Sequence, residues 1–217
     1  MKNSVTAAAL TAALTALGLT IAPLAHAQAP PAATEAAAEH LVLSLIPAKG
    51  GATLQVSSPA FKDGGDIPFE NTQYRGNVFP GLKWSKGPQG THSYVVIMQD
   101  TDALVRGDAI LHWTLYDVPA GVTQLDAGMT APPAGATYGP NIRGPMQAYM
   151  GPRTPAGPKH RYHLQVFALD VVIPGDPQLG FDALKAAMTG HVLASGQTIG
   201  LGQVDPTAPP PAPRPPA

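Results

Sequence analysis

The chain has no cysteine anywhere in its 217 residues. That excludes disulfides, thiolate zinc sites and iron–sulfur clusters, even in an oxidising compartment where disulfides would form. Charge is also scarce. Only 12% of residues are charged and the formal net charge is −1, which argues against a nucleic-acid groove or a polybasic membrane patch. Beyond the N-terminus no run is long and apolar enough to span a bilayer. Several catalytic signatures are missing too. There is no G-x-S-x-G elbow for a serine hydrolase, and the histidines lack the i,i+4 spacing of a helical zinc site. An apolar run ends in Asp100-Thr101-Asp102, but neither an Asp-Asp pair nor an alternating αβ pattern follows to support magnesium-dependent phosphoryl chemistry. No metal or cofactor is expected, and the chain reads as a non-enzyme.

At the N-terminus, Lys2 precedes an Ala/Leu/Thr-rich apolar stretch over 5–22, and Ala25-His26-Ala27 gives a small-x-small end. This pattern predicts a signal peptide over residues 1–27, cleaved near Ala27, and a secreted or periplasmic protein. Residues 28–39 read as a flexible Ala/Pro-rich leader and 205–217 as a disordered proline-rich tail, which can extend but cannot pack a core. One domain over 40–204 remains.

Within it, short β-like runs alternate with Gly/Pro punctuation. The strand candidates are 41–47, 53–59, 94–100, 110–118 and 162–170, and only 181–194 has helical composition and spacing. Strands without intervening helices predict antiparallel pairing. The expected fold is mainly β, an antiparallel sandwich or barrel-like sheet with one or two peripheral helices. If 94–100 and 110–118 are neighbours, Asp100 and His112 meet at one rim. Alternation would put His112, Thr114 and Tyr116 on one face and Leu111, Trp113 and Leu115 on the other. A second loop, YMGPRTPAGPKHRY at 149–162, ends in a histidine as it enters a strand. There His160 and Tyr162 should share one face, and Arg161 and His163 the other.

These motifs together resemble the phosphatidylethanolamine-binding protein family, also called Raf kinase inhibitor proteins, in its compact bacterial branch. The matching residues are DTDA at 100–103, HW at 112–113 and GPRTPAG…HRY from Gly151 to Tyr162, flanked by SSPAF at 57–61, FPGLKW at 79–84 and GHVLASG at 190–196. Thr101, Leu104 and Thr154 stand where the family usually has proline, which loosens the loops. The resemblance implies a pocket for small phosphate-type anions or phospholipid headgroups. Asp100, His112, His160 and Tyr162 would line it, and Gly151, Pro152 and Pro155 would shape its wall. Asp102 and Arg161 would be a supporting pair, since an arginine can hold a carboxylate through two hydrogen bonds. His163 and His191 are expected to be structural. The resemblance also implies pairing of two copies into a homodimer. Two other readings stand beside the binding module: an inhibitor whose outer surface docks on a protease or kinase-like target, and a metal-dependent phosphoesterase.

Overall fold

Four strands of 10 to 13 residues carry the architecture: β5 (Ser93–Val105), β6 (Asp108–Pro119), β9 (His160–Leu169) and β10 (Val192–Gly202). They come from a computed structural model that describes residues 38–208. The expected signal peptide and nearly all of the leader lie outside the described residues. The remaining strands are two or three residues long: β1 (Ala52–Thr53), β2 (Val56–Ser57), β3 (Gly65–Asp66), β4 (Leu82–Trp84), β7 (Gln124–Leu125) and β8 (Thr137–Tyr138). Among the described residues two α-helices, α1 (Val42–Leu45) and α2 (Phe181–Met188), and two single-turn 3-10 helices complete the set.

The larger sheet has seven strands in the order β1-β10-β9-β5-β6-β8, with β3 also paired to β10; a three-stranded sheet runs β2-β4-β7. The fold is mainly β, as the sequence predicts. The long pairs are antiparallel, whereas β1 and β3 lie parallel to β10.

Both faces of the central strands are buried, which is why β5 begins as a continuous apolar run. Tyr94, Val96 and Met98 pack with Trp113, Leu115, Leu164 and Val166 against Leu82, Trp84 and Leu125 of the small sheet. Val95 and Ile97 face the other way, with Phe167 and Leu169, onto Val42 of α1 and Leu184 and Met188 of α2. Period-two alternation therefore sorts one strand into two cores.

Four sequence expectations need correction. The run 41–47 is not a strand: Leu41, Val42 and Ile46 are buried as one face of a helical turn. Its N–H groups find acceptors on the sheet, Val42 N–H on Gln99 Oε1 (3.0 Å) and Leu43 N–H on Gln165 Oε1 (2.8 Å). The run 53–59 is split into β1 and β2. The helix expected to reach residue 194 stops at Met188, and the chain turns at Gly190 (φ 77°) into β10. The sequence reading missed β10 because its glycines and polar residues carry little strand propensity. Finally, Asp205 is no part of a loose tail: it is buried, and Arg75 Nε donates to its carboxylate at 2.5 Å.

Candidate functional site

The site forms where β5 parts from β6. Asp100 still pairs with Ile110, but the next pair is Leu104 with Ala109, so residues 101–103 leave the register. On its other side Asp100 stays opposite Tyr162 of β9. One residue pair deeper, Met98 faces Trp113 and Gln99 faces Leu111, which leaves His112 as the extra residue of a bulge. The expected grouping of Leu111 with Trp113 fails for this reason. Leu111 turns to the helix-side core, while Trp113 stays between the sheets.

Asp100 and His160 are joined directly, with His160 Nδ1 2.8 Å from Asp100 Oδ2. The Asp100 side chain is 3% exposed and that of His160 13%, so the carboxylate lies inside and the imidazole opens outward. Tyr162 sits between two imidazoles. Its ring meets His112 edge-on at 5.0 Å between centroids and stacks with His160 at 6.5 Å. Burial, then the charge of Asp100, pushes the Tyr162 phenol above its ordinary range, so it stays protonated and able to donate. Burial also lowers the His112 pKa, outweighing the opposing field of Asp100, and keeps its ring neutral at neutral pH. The His112 Nδ1 lies 3.1 Å from the Met150 carbonyl, a contact that requires Nδ1–H as donor.

Asp102 turns away from this cluster. Its N–H donates to Asp100 Oδ1 at 2.8 Å, closing a local turn. Its own carboxylate accepts Arg161 Nε–H (2.9 Å), Nη2–H (2.6 Å) and backbone N–H (2.7 Å). Burial alone would raise the Asp102 pKa, but these bonds outweigh it and hold the carboxyl below its usual value.

The loop that walls the cluster is held by residues far away in sequence. Gly151 N–H donates to Asn77 Oδ1 (2.7 Å), and the Asn77 amide donates to the Tyr149 carbonyl (2.7 Å). Gln73 Nε2 donates to the Gly151 carbonyl (2.6 Å) and Gln73 N–H to that of Pro152 (2.9 Å). A Cβ at Gly151 would overlap the Asn71 carbonyl oxygen, so only glycine fits. Thr154 is fully buried, its Oγ1 3.0 Å from the Tyr162 hydroxyl, while the Tyr74 hydroxyl donates to its carbonyl. A proline there could not make the first of these bonds.

Of the residues singled out from sequence, Asp100, His112, His160 and Tyr162 come together, with Gly151 and Pro152 behind them. Pro155 is exposed at the outer part of the loop. His163 is buried on the opposite face, within hydrogen-bond distance of Thr101 Oγ1 (3.2 Å) and Gln197 Oε1 (3.0 Å). His191 lies beyond α2, 2.7 Å from Asp170. Sequence reasoning missed Gln73, Asn77 and the Thr154 hydroxyl. Only Asn77, beside Gly76 and at positive φ (53°), left a local trace, as a turn signal. A separate cavity of about 360 Å³ lies between α1, α2 and the β5–β6 turn, lined by Val42, Leu45, Val105, Leu111, Ile142 and Phe181 among others. It contains none of the singled-out residues.

Comparison with known proteins bears on the family and the fold. The family model described as phosphatidylethanolamine-binding protein matches residues 57–203. A UPF0098 protein of Aquifex aeolicus is 36% identical over 160 residues, covering 72% of this chain and 92% of its own. The lipoprotein LppC of Mycobacterium tuberculosis is 34% identical over 157 residues, covering 72% of this chain and 74% of its own. Among solved structures, the phosphatidylethanolamine-binding protein homologue CT736 of Chlamydia trachomatis superposes with a TM-score of 0.63 at 31% identity, covering 70% of this chain and 99% of that one.

Proposed function

The chain belongs to the phosphatidylethanolamine-binding protein family, and from that premise we propose that it is an exported binding module for small phosphate-type anions, free or as a phospholipid headgroup. The ligand is held at Asp100, His112, His160 and Tyr162 and is not turned over. The observation that carries this reading is the Asp100–His160 contact at 2.8 Å, with Tyr162 packed between the two imidazoles.

Both rings are fixed through Nδ1, to Asp100 and to Met150, so Nε2 is the nitrogen left for a ligand on each. A neutral His112 can only accept a proton there, from a protonated phosphate oxygen. A protonated His112 donates to the anion and adds charge attraction. The carboxylate of Asp100 is compatible with a bound anion because it orients His160 through Nδ1 and leaves the Nε2 of that ring for the anion. The non-catalytic reading rests on family membership and on the catalytic motifs that the sequence does not carry. Export rests on the pattern over residues 1–27 and on the lipoprotein name of the mycobacterial relative.

The test is calorimetric titration with O-phosphorylethanolamine and inorganic phosphate between about pH 5 and 8. Because burial lowers the His112 pKa, anion binding should draw in a proton. Affinity should therefore rise as pH falls, and His112→Ala or His160→Ala should abolish binding. Affinity that is flat or grows toward alkaline pH would overturn the proton-linked part. Unchanged binding in both variants would overturn the site.

A further inference from the structure

Arg75 and Arg161 are each committed to a carboxylate, Asp205 and Asp102. Two other arginines are held only by neutral groups. Arg143 Nη2–H donates to Gln73 Oε1 at 3.0 Å, and the Arg153 guanidinium lies 5.1 Å over the Tyr74 ring. Both side chains are exposed, and neither has a carboxylate partner among the described residues.

Their holders, Gln73 and Tyr74, are consecutive and are bonded to one loop. Gln73 reaches the carbonyls of Gly151 and Pro152, and the Tyr74 hydroxyl that of Thr154. That loop borders the His112–Tyr162 cluster and carries Arg153 itself. Two guanidinium groups without carboxylate partners are thus tethered, through Gln73 and Tyr74, to the loop beside the cluster. An anion seated on this loop is attracted by both charges, and the planar donor fork of arginine fits phosphate oxygens in pairs. The placement is close enough that the charge of Arg143 acts on the His112 ring.

We infer that Arg143 and Arg153 form an outer anion subsite that makes the site select ligands with a second phosphate, a diphosphate group, over monophosphates. This rests on the anion-binding reading of the inner cluster. The inner residues take one phosphate and the two arginines the next.

The experiment titrates the full chain with inorganic phosphate and inorganic pyrophosphate, as wild type, Arg143→Gln, Arg153→Gln and the double variant. Arg106→Gln, at the β5–β6 turn, controls for general charge. Wild type should bind pyrophosphate about tenfold or more tighter than phosphate, the scale expected of charge-assisted bonds at a half-open rim. The double variant should lose that advantage and each single variant part of it, with phosphate still bound at the inner residues. Thermal midpoints show whether each variant is folded.

If wild type binds phosphate but favours pyrophosphate no further, the subsite is wrong and the inner reading survives. The same holds if the double variant keeps the preference, or if Arg106→Gln removes as much. If wild type binds neither anion, both readings fall. Sedimentation with phosphatidylcholine vesicles carrying a diphosphate lipid separates the sources. Arginine-dependent co-sedimentation supports a lipid-borne diphosphate, and solution binding without it supports a soluble one.

Discussion

At the scale of the residue, the candidate site depends on a few side chains whose partners leave no slack. His112 has its Nδ1 on a backbone carbonyl, His160 on Asp100, and Asp102 is held three times by Arg161. Gly151 is the least substitutable of the set. A methyl group there meets the Asn71 carbonyl, and the Asn77 and Gln73 bonds to the same residue prevent the loop from backing away. Gly151→Ala should lower stability by about 1–3 kcal/mol, as overpacking does, and weaken phosphate binding as the loop shifts. Thermal unfolding and calorimetry together check this, and an unchanged midpoint with unchanged affinity would show that the loop yields freely. The chemistry-bearing residues were legible because aspartate pairs at a strand end and histidines at loop exits stand out against an apolar, charge-poor background. Gln73, Asn77 and Thr154 were not, since a neutral amide or hydroxyl means nothing until its partner is known. The Gln73 and Asn77 partners lie more than 70 residues away in the chain.

At the scale of the element, long runs with both faces buried declared themselves, and short or glycine-rich pieces did not. β5, β6 and β9 were visible as dense β-branched and aromatic runs. β10 was not, because it gives up side chains to let neighbours approach: at Gly202 a Cβ would overlap the Tyr162 ring. α1 shows the opposite ambiguity. Its sequence VLSL suits a strand or a helix, and two glutamines of the sheet decide the matter by accepting its first N–H groups. Removing the Gln165 acceptor leaves the half-buried Leu43 N–H unpaired, at a cost of about 1 kcal/mol. Gln165→Ala should therefore lower the thermal midpoint by several degrees, about 2–4 °C per kcal/mol for a domain of this size, without altering phosphate affinity. A midpoint within a degree of wild type would mean that the α1 contacts add nothing to global stability.

At the scale of the molecule, the end of the described chain is fastened back onto the site region. Arg75 and Thr207 hold the Asp205 carboxylate, and Arg75 first among them lowers its pKa to about 2. A folded pKa below the unfolded value of about 3.9 gives stability that is complete above the unfolded value and disappears as pH falls through about 2. Between about pH 4 and 2 the wild-type midpoint should fall more steeply than that of Asp205→Asn, and parallel curves would deny the linkage. The sequence by itself determined the mainly β class, three of the four long strands and the absence of any cysteine chemistry. Those follow from composition and period-two alternation, which are local. Only the tertiary structure decided that β10 lies between β9 and the parallel β1 and β3, that His112 stands on a bulge, and that Asn77 and Gln73 clamp the Gly151 loop. Such facts depend on which distant segments can satisfy each other's hydrogen bonds and fill the same volume, and no window of sequence contains both partners.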